Sequence, residues 1–452
     1  MDASISNYDG SITADPRVFV RVKDVEALRA VLRDKDGYPG PVRPKGSYHS
    51  LTPCASSAGT MVDMSGMTRI LNIDAKKMTL TAQAGLQLID AAKALREHNL
   101  QFMTNVEIGN MTLGAAACCH TKDGLDGLEF GQASSYATGI KWVTPSGELA
   151  EASEESDPHA LRMMRSSHGL AGIVYEVTFR LKPLEAIRFT YLPRPVDALT
   201  EKEVEDIIDR SPGLVCWTVG RTAVFQRRTG AERASPLGPL FAAVRRRLWS
   251  RSAAHLGRFI DTYVPTAGLR NLSHDASFFA YRTAYSALGL IGGCALANPD
   301  KTIDYRSTPA SGKYAFTFWS FPRAQWLANL REYLAFAEQH FRTYGFRCNL
   351  PLGSYHIRKD TSGILSYTYD GDIFSIDPIH AYSDLPAWER FLHEFNEFAY
   401  KRNGVPLLNQ TPFMEKKHMV QGYGDRWREF ADWIRGSDPD GRMLNPFFAD
   451  LL

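Results

Sequence analysis

Apolar and polar positions alternate in two different periods along the first 183 residues. Apolar residues recur at helical spacing in residues 24–33, after an aspartate suited to cap a helix, and again in residues 86–98. Residues 70–84 predict two strands joined by a turn, and residues 136–150 predict a hairpin. Residues 172–181 predict a further strand. The pattern indicates an α+β fold with much antiparallel pairing, rather than a regular βαβ series.

The pattern of apolar and polar positions changes after Pro183. The following part contains apolar β-type runs such as residues 313–321 and helical patterns such as residues 324–341. A last segment, near residues 410–452, closes the chain. A chain of 452 residues is too long for one ordinary core. We therefore predict three parts with boundaries at residues 1–183, 184–405 and 406–452.

Composition excludes several classes of protein. Apolar residues make up 44% and charged residues 23%, as in globular proteins, and the formal net charge of +2 gives no general attraction to nucleic acid. The N-terminus lacks the basic and apolar regions of a secretory signal, and the longest apolar stretch, residues 287–297, is too short to span a bilayer. These features favour a cytoplasmic protein without a transmembrane segment.

The cysteines do not have the spacing of a metal site. No CxxC pairs occur, and the one vicinal pair cannot join distant segments. We therefore expect reduced thiols and no bound metal. The six are Cys54, Cys118, Cys119, Cys216, Cys294 and Cys348.

A basic stretch at residues 239–260 allows three interpretations. It is an interfacial helix that touches anionic lipid, a basic flap over an anionic substrate, or a solvated helix whose arginines extend over the protein's own apolar surface. The third is favoured, because most amphipathic helices face a core. The arginines are Arg245, Arg246, Arg247, Arg251 and Arg258.

Three segments rich in glycine and small residues have the features of a nucleotide site. The first is Pro44-Lys45-Gly46-Ser47-Tyr48-His49-Ser50, directly after a predicted strand. A glycine followed by small polar residues lets successive backbone N–H groups converge on an anion such as a pyrophosphate. Taken alone, each segment is also compatible with an ordinary turn or loop.

The other two segments would lie against a flat ring. Gly109-Asn110-Met111-Thr112-Leu113-Gly114-Ala115-Ala116-Ala117-Cys118-Cys119-His120-Thr121 places little side-chain bulk beside its backbone, which allows close approach. In residues 166–174, glycines lead into a strand whose edge could bond to an adenine or flavin. The alternative for the longer segment is the start of a tightly packed helix.

The order and spacing of these segments resemble the FAD-linked oxidases of the vanillyl-alcohol oxidase type, most nearly the aldonolactone and alditol oxidase branch. The resemblance covers residues 18–183. It implies a two-lobed FAD-binding domain in residues 1–183, a substrate domain with an antiparallel sheet and flanking helices in residues 184–405, and a return of residues 406–452 to the FAD domain. It also implies an enzyme that oxidises a CH–OH group.

The resemblance also implies roles for the three segments. The Gly46–Ser50 loop would wrap the pyrophosphate, and its histidine, His49, would form an 8α-N-histidyl bond to the flavin; the alternative is that His49 only bonds to a phosphate. The family's usual His-Gly-Thr-Gly is His120-Thr121-Lys122-Asp123 here. The predicted FAD-binding residues are Pro44, Lys45, Gly46, Ser47, Tyr48, His49, Ser50, Gly109, Asn110, Met111, Thr112, Gly114, Ala115, Cys118, Cys119, His120, Gly172, Ile173 and Val174.

The C-terminal half must supply a base and groups that hold the substrate oxygen, because hydride transfer to flavin N5 leaves a proton on that oxygen. The related branch has a Glu-x-Arg pair on a strand, and this chain has His356-Ile357-Arg358. Residues two apart on a strand share a face, which we expect to look at the flavin.

A lysine expected near residues 408–417 is replaced by Gln410 in the same register. We expect His356 or His380 to act as the base, Arg358 to hold the substrate oxygen, and Gln410 to position a hydroxyl. The alternative is that these residues are structural.

Three hypotheses on function follow. The first is an FAD-dependent oxidase or dehydrogenase that acts on a polyol, sugar or sugar lactone. The second is a biosynthetic enzyme of the same fold that oxidises a lipid-linked or natural-product sugar, with residues 239–260 at a membrane surface. The third is a flavin-binding protein without catalytic activity. Cys119 lies where the family controls oxygen access, and its bulk favours an electron acceptor other than oxygen.

Overall fold

The N-terminal lobe begins with a small parallel sheet. In the computed structural model, which describes residues 4–124, 129–247, 254–290, 295–306, 308–309, 312–381 and 385–452, β5 lies between β3 and β4. Asp24 caps the helix that joins β3 to β4, and its carboxylate accepts from the Ala27 N–H at 2.8 Å. The elements are β1 (Ile5–Ser6), β2 (Thr13–Ala14), β3 (Val18–Arg21), α1 (Val25–Arg33), β4 (Val42–Lys45) and β5 (Thr60–Asp63).

A larger antiparallel sheet completes this lobe. Its order is β10-β9-β11-β7-β6, and β8 pairs with the far end of β11. Three helices pack against it. The elements are β6 (Ile70–Asp74), β7 (Thr79–Gln83), α2 (Leu88–Glu97), β8 (Leu100–Phe102), α3 (Leu113–Cys118), β9 (Ala137–Val143), β10 (Leu149–Ser153), α4 (Pro158–Met164) and β11 (Ile173–Pro183).

The second lobe is built on an eight-stranded antiparallel sheet. Its order is β15-β12-β14-β13-β18-β19-β17-β21, and β16 pairs separately with β20. The strands are β12 (Ala186–Pro195), β13 (Gly213–Val219), β14 (Thr222–Ala231), β15 (Ala295–Ala297), β16 (Ala315–Phe316), β17 (Trp319–Pro322), β18 (Leu352–Ile357), β19 (Ile373–Ile376), β20 (Ile379–His380) and β21 (Val405–Pro406). The helices are α5 (Glu201–Asp209), α6 (Gly238–Arg247), α7 (Ala254–Tyr263), α8 (Ala267–Leu290), α9 (Trp326–Tyr344) and α10 (Leu385–Tyr400).

The two faces of this sheet have different neighbours. On one face, Cys216 and Phe374 belong to a core with α9 and α10. On the other face, Val215 and Trp217 belong to a core that includes partly buried tyrosines of α8. Side chains alternate between the faces along each strand, so a single step in register decides which core a residue joins.

The chain then returns to the N-terminal lobe through three helices, α11 (Lys416–Tyr423), α12 (Asp425–Ser437) and α13 (Pro446–Leu451). Met419, Trp427 and Phe448 are buried in the same core as Leu80 of β7. The limits of residues 1–183, 184–405 and 406–452 as independent units stay a prediction.

The predicted α+β class and the antiparallel substrate sheet are confirmed. Two details differ. The parallel pairing of β3, β4 and β5 was not predicted; a helical crossover joins β3 to β4, whereas a hairpin would have made them antiparallel. The single run at residues 313–321 is divided between β16 and β17. Arg251 and Cys294 lie outside the described residues. Within those residues, every helix is too short or too polar to cross a lipid bilayer.

Buried ion pairs join the two lobes. Asp123 of the N-terminal lobe accepts from Arg228 of β14 at 2.9 Å and from Lys301, and all three side chains are fully buried. Glu107 accepts from Arg228 at 2.7 Å and from Arg245 of α6 at 3.3 Å. Burial raises the pKa of Glu107, but Arg228, Arg245 and Lys301 outweigh it and lower that pKa to about 2. Glu107 is therefore ionised at neutral pH.

We expect Asp123→Asn to lower the free energy of unfolding by about 3–5 kcal/mol, because Arg228 and Lys301 would keep buried charges without this carboxylate. Urea denaturation followed by circular dichroism measures the change. The matched control is Asp440→Asn, which removes a pair with Lys35 whose side chains are 70% and 59% exposed, and which should leave the free energy of unfolding nearly unchanged. Equal effects of the two substitutions would contradict the role of the buried pairs.

Candidate functional site

A cleft of about 990 Å³ lies where the three small-residue segments meet. The segment after β4, the start of α3 and the loop before β11 form its walls, and residues 409–410 close one side. Thirteen of the nineteen predicted FAD-binding residues line it, namely Pro44, Gly46, Ser47, Tyr48, His49, Ser50, Met111, Thr112, Gly114, Ala115, Cys118, Cys119 and Val174.

The loop at residues 46–50 is held in place from both sides. A Cβ atom on Gly46 would lie 2.5 Å from Oγ1 of Thr112, so only glycine allows the loop to approach α3 this closely. The Ser47 hydroxyl donates to the carbonyl of Asn110, and Leu51 N donates to the carbonyl of Asn409 at 2.9 Å. The loop is therefore fixed in position by its neighbours.

His49 is oriented by two contacts. Its ring stacks on Tyr8 with the centroids 4.4 Å apart, and its Nε2 lies 2.6 Å from Nδ2 of Asn110. Burial lowers the pKa of His49 to about 4, although the bond to Asn110 opposes this change. The imidazole is therefore neutral at pH 7, which leaves a ring nitrogen able to act as a nucleophile.

Helix α3 presents small side chains and neutral thiols to the cleft. Ala115, Cys118 and Cys119 face it. Burial raises the pKa of Cys118 to about 12 and raises that of Cys119 well above its usual value. This wall therefore adds no negative charge to the cleft.

The loop before β11 depends on an unusual backbone conformation and on a buried arginine. Gly172 has a φ of +126°, and a Cβ atom there would lie 2.2 Å from the carbonyl oxygen of Val143. Arg43 is 1% exposed and donates to the carbonyls of His168 at 2.6 Å and Cys54 at 2.7 Å. Its cation thus joins two walls of the cleft through their main chains.

Six of the predicted residues lie behind the walls. Lys45 is 3.9 Å from Asp63, Gly109 donates its N–H to Ile303, and Asn110 supports His49. His120 is buried, with Nδ1 2.7 Å from Gln132 Oε1 and Nε2 2.9 Å from Ser166 Oγ. Gly172 and Ile173 are also outside the lining, because Gly172 packs on Val143 and Ile173 enters a neighbouring core.

Several lining residues were missed. Most of them come from segments without a motif, so only tertiary packing brings them to the cleft. His168 and Gly169 lie in a predicted segment but were not chosen as contacts. The missed residues are Cys54, Ala55, Met64, Ala84, Ile108, His168, Gly169 and Asn409.

A second cavity of about 610 Å³ adjoins the cleft, and Ile108, Met111 and Gln410 line both. Its other walls include Trp217 and Tyr355 of the eight-stranded sheet, Phe316 and Ile379 of the β16–β20 pair, and the segment after α3. Five of the described lining residues are aromatic and three are charged. The other lining residues are Val106, Glu107, Thr121, Lys122, Trp217, Tyr305, Tyr314, Phe316, Tyr355, Asp377 and Ile379.

Of the four predicted catalytic residues, the structure brings Gln410 to the cavities. Gln410 is 5% exposed, and its Oε1 has no hydrogen-bond partner among the described residues. Arg358 follows the end of β18 and is exposed, and it is not among the described residues that line either cavity.

The two histidines lie elsewhere. On β18, Tyr355 faces the second cavity, so His356 points to the opposite side, where it meets Phe374 edge-on with the ring centroids 6.0 Å apart. His380 stacks on Trp388 of α10 with the ring centroids 5.4 Å apart. The prediction that the face of His356 looks at the flavin is therefore wrong, because the register of β18 turns Tyr355 and not His356 toward the cavity.

Comparisons with known proteins agree with the resemblance seen in the sequence. Residues 16–153 match the model of the FAD binding domain family. The L-galactono-1,4-lactone dehydrogenase 1 of Oryza sativa subsp. japonica is 30% identical over 177 residues, which cover 39% of this chain and 30% of that protein. The L-gulonolactone oxidase of Bos taurus is 27% identical over 194 residues, 43% of this chain and 42% of that protein. The chain thus matches less than half of the length of these relatives.

The similarity of the whole fold is wider. The crystal structure of cholesterol oxidase from B. sterolicum matches with a TM-score of 0.75 and 15% sequence identity, and the match covers 99% of this chain and 96% of that one. It shows that both lobes and the returning helices have the fold of cholesterol oxidase. Residues 16–153 are thus similar to FAD-binding domains, and the similarity agrees with the resemblance to flavin-linked oxidases seen in the sequence.

Proposed function

We propose that this chain is an FAD-dependent oxidoreductase that transfers a hydride from a CH–OH group of a polyol, sugar or sugar lactone to flavin. The observation that carries the proposal is the junction of the two cavities. The cleft formed by the FAD-binding segments adjoins a second cavity with aromatic walls, and Ile108, Met111 and Gln410 border both. A substrate in the second cavity would therefore lie beside a ring in the first, as hydride transfer requires.

The residues of the cleft fit FAD. Its walls include Gly46, Gly114 and Ala115, whose small side chains leave room for a flat ring to approach the backbone. None of the described lining residues is acidic, so no carboxylate opposes a pyrophosphate. We propose that residues 46–50 hold the pyrophosphate through their backbone N–H groups and that Ala115, Cys118 and Cys119 lie along the flavin ring.

His49 is our candidate for a covalent bond to the flavin. Its neutral imidazole lines the cleft, and Asn110 engages Nε2, so we propose Nδ1 as the nitrogen that forms the bond. Such a bond would prevent loss of the cofactor and raise its reduction potential, which suits the oxidation of an unactivated alcohol.

The second cavity has the walls of a sugar site. When bound, FAD supplies the acceptor for the hydride. Trp217, Tyr314 and Tyr355 line this cavity, and aromatic side chains are suited to packing against the C–H groups of a carbohydrate. Gln410, with its Oε1 available, is placed to accept a hydrogen bond from a substrate hydroxyl. The lactones named in the relatives support this substrate class.

Reoxidation by oxygen is expected to be slow. Cys119 places a thiol in the cleft. Burial raises the pKa of this thiol, so it is uncharged at neutral pH and does not attract superoxide. Its bulk hinders the access of oxygen to the flavin. We therefore propose an electron acceptor other than oxygen.

A lipid-linked sugar is the second candidate substrate, because α6 to α8 carry an apolar surface. Phe259 is 57% exposed and Leu272 is 65% exposed. The further exposed apolar residues of this surface are Leu237, Leu240, Val244, Leu256, Tyr263, Leu269 and Phe279. Arg245 turns inward to Glu107, whereas Arg247 of α6 and Arg258 of α7 are exposed on the same helices. Such a combination suits peripheral contact with an anionic bilayer.

Filling the cleft should abolish flavin binding. We expect Ala115→Trp to purify with less than about a tenth of the wild-type flavin content, since each 1.4 kcal/mol of lost binding free energy is about tenfold in affinity. The ratio of flavin to protein absorbance measures this. Ala30→Trp, at an exposed position of another helix, is the matched control and should keep its flavin. A yellow Ala115→Trp protein would place the cofactor elsewhere.

A covalent link predicts a difference on denaturation. After acid precipitation, the wild-type pellet should be yellow, whereas His49→Ala should release its flavin to the supernatant because no other bond holds it. His159→Ala, which changes a histidine with a 63% exposed side chain, should behave as the wild type. Colourless wild-type pellets with free FAD in the supernatant would show that His49 is only a hydrogen-bonding residue.

Substrates should bleach the flavin. Under anaerobic conditions, we expect at least one sugar lactone or polyol to remove the visible absorbance of the oxidised flavin, because reduction ends that transition. A lipid-linked sugar is tested beside them, and bleaching by this substrate alone would favour the second candidate. If dithionite bleaches the flavin but no alcohol does, the chain is a flavin-binding protein without this activity.

A further inference from the structure

A buried ion pair in the second cavity has no role in the function proposed so far. Nζ of Lys122, in the segment after α3, lies 2.6 Å from Oδ2 of Asp377, which follows β19. The side chains are 11% and 1% exposed, and both residues line the cavity. Removing two charges from water is costly, so a pair in this position needs an explanation.

The two oxygens of Asp377 have different surroundings. Oδ2 accepts from Lys122, whereas Oδ1 is buried and has no hydrogen-bond partner among the described residues. The backbone of Asp377 is fixed by a pair of hydrogen bonds with Gly353, at 2.8 and 3.1 Å. One carboxylate oxygen is thus held by the lysine, and the other remains for a ligand.

Lys122 is held as firmly as its partner. Its ammonium lies 4.2 Å from the ring centroid of Phe316, 5.0 Å from that of Tyr355 and 5.1 Å from that of Phe318. Ring faces attract a cation but cannot take its proton. Asp377 is therefore the group that accepts a hydrogen bond from this ammonium, while the rings surround it.

We propose that Asp377 is the base that accepts the hydroxyl proton of the substrate and that Lys122 is a positioning residue for it. The inference rests on the function proposed above. The substrate O–H bond breaks and its proton moves to Oδ1 of Asp377. The C–H bond breaks and its electron pair leaves as hydride to flavin N5, and a C=O bond forms. The substrate loses two electrons, and the flavin gains them.

The electrostatics support this role. Burial raises the pKa of Asp377 to about 6, and Lys122 and, to a smaller extent, Ser375 limit the rise. The other titratable groups that face the carboxylate are Tyr355 of β18 and Tyr367, whose own pKa values are raised by burial, and Glu107 acts on Lys122. Asp377 is then ionised at pH 7 but is a stronger base than an exposed aspartate. Below about pH 6 it becomes protonated and cannot accept the proton.

The test is flavin reduction by a bleaching substrate in anaerobic stopped-flow experiments across pH. For the wild type, the rate should fall as the pH falls through about 6. For Asp377→Asn, we expect a rate of flavin reduction at least about 100-fold lower, because the base is absent. The fall in rate toward low pH, which we call the acidic limb, should also be absent from this variant. In infrared spectra of the wild type, the band of a protonated carboxyl group should appear as the pH falls through about 6. The same band should be absent from Asp377→Asn.

Asp360→Asn is the matched control. Asp360 is also 1% exposed and its pKa is also raised by burial, but it bonds to Ser135 and is not among the described lining residues. This variant should keep the wild-type rate and acidic limb. Lys122→Met should move the limb to higher pH, because the cation that lowers the pKa of Asp377 is lost, and Lys122→Arg should restore it.

The outcomes separate the two proposals. Suppose that an alcohol reduces the wild type and that Asp377→Asn has the same rate and the same acidic limb. This result would overturn the role of Asp377 and leave the proposed function intact. A wild type that no alcohol reduces would overturn the proposed function itself. If Asp377→Asn does not fold, Asp377→Glu replaces it, and an unmoved acidic limb together with an unchanged infrared band would count against the inference.

Discussion

The ion pairs between Glu107, Asp123, Arg228, Arg245 and Lys301 set the position of the two lobes, and the rest of the site depends on that position. The carboxylates come from the N-terminal lobe and the cations from the substrate lobe, so every pair crosses the boundary. Buried charges tolerate little separation, because each ion that loses its partner keeps its full desolvation cost. The cleft and the second cavity therefore meet at a fixed junction.

Arg43 acts in the same way on a smaller scale. Its guanidinium is fully charged, since burial lowers its pKa only to about 10, and it donates to main-chain carbonyls of three segments. One of these, Met443, belongs to the part of the chain that returns after the substrate lobe. The walls of the cleft are thus held by the main chain, and small side chains at its surface leave room for a cofactor without weakening the structure.

Local patterns predicted the N-terminal lobe well. Asp24 caps α1, and the strand predicted at residues 172–181 corresponds to β11. The small-residue segments could be recognised because their chemistry depends on the backbone, which the sequence controls through Gly46 and Gly172. The register of β18 could not be predicted, because its six residues are all buried and show no alternation. Without that register, the sequence alone could not test whether His356 faces the cavity.

This chain lacks two residues of the related branch, but its second cavity holds a carboxylate and an ammonium at other positions. The sequence has histidine at 356 where the related branch has a glutamate, and glutamine at 410 where it has a lysine. The second cavity nevertheless contains a carboxylate and an ammonium, Asp377 and Lys122, which lie 255 positions apart in the chain. No sequence window could pair them, and only the meeting of the lobes does so. Hydride transfer needs a base at the substrate oxygen, but it does not specify the strand that carries the base. A cavity with the same charges at new positions can therefore keep the chemistry while it admits a substrate of different shape.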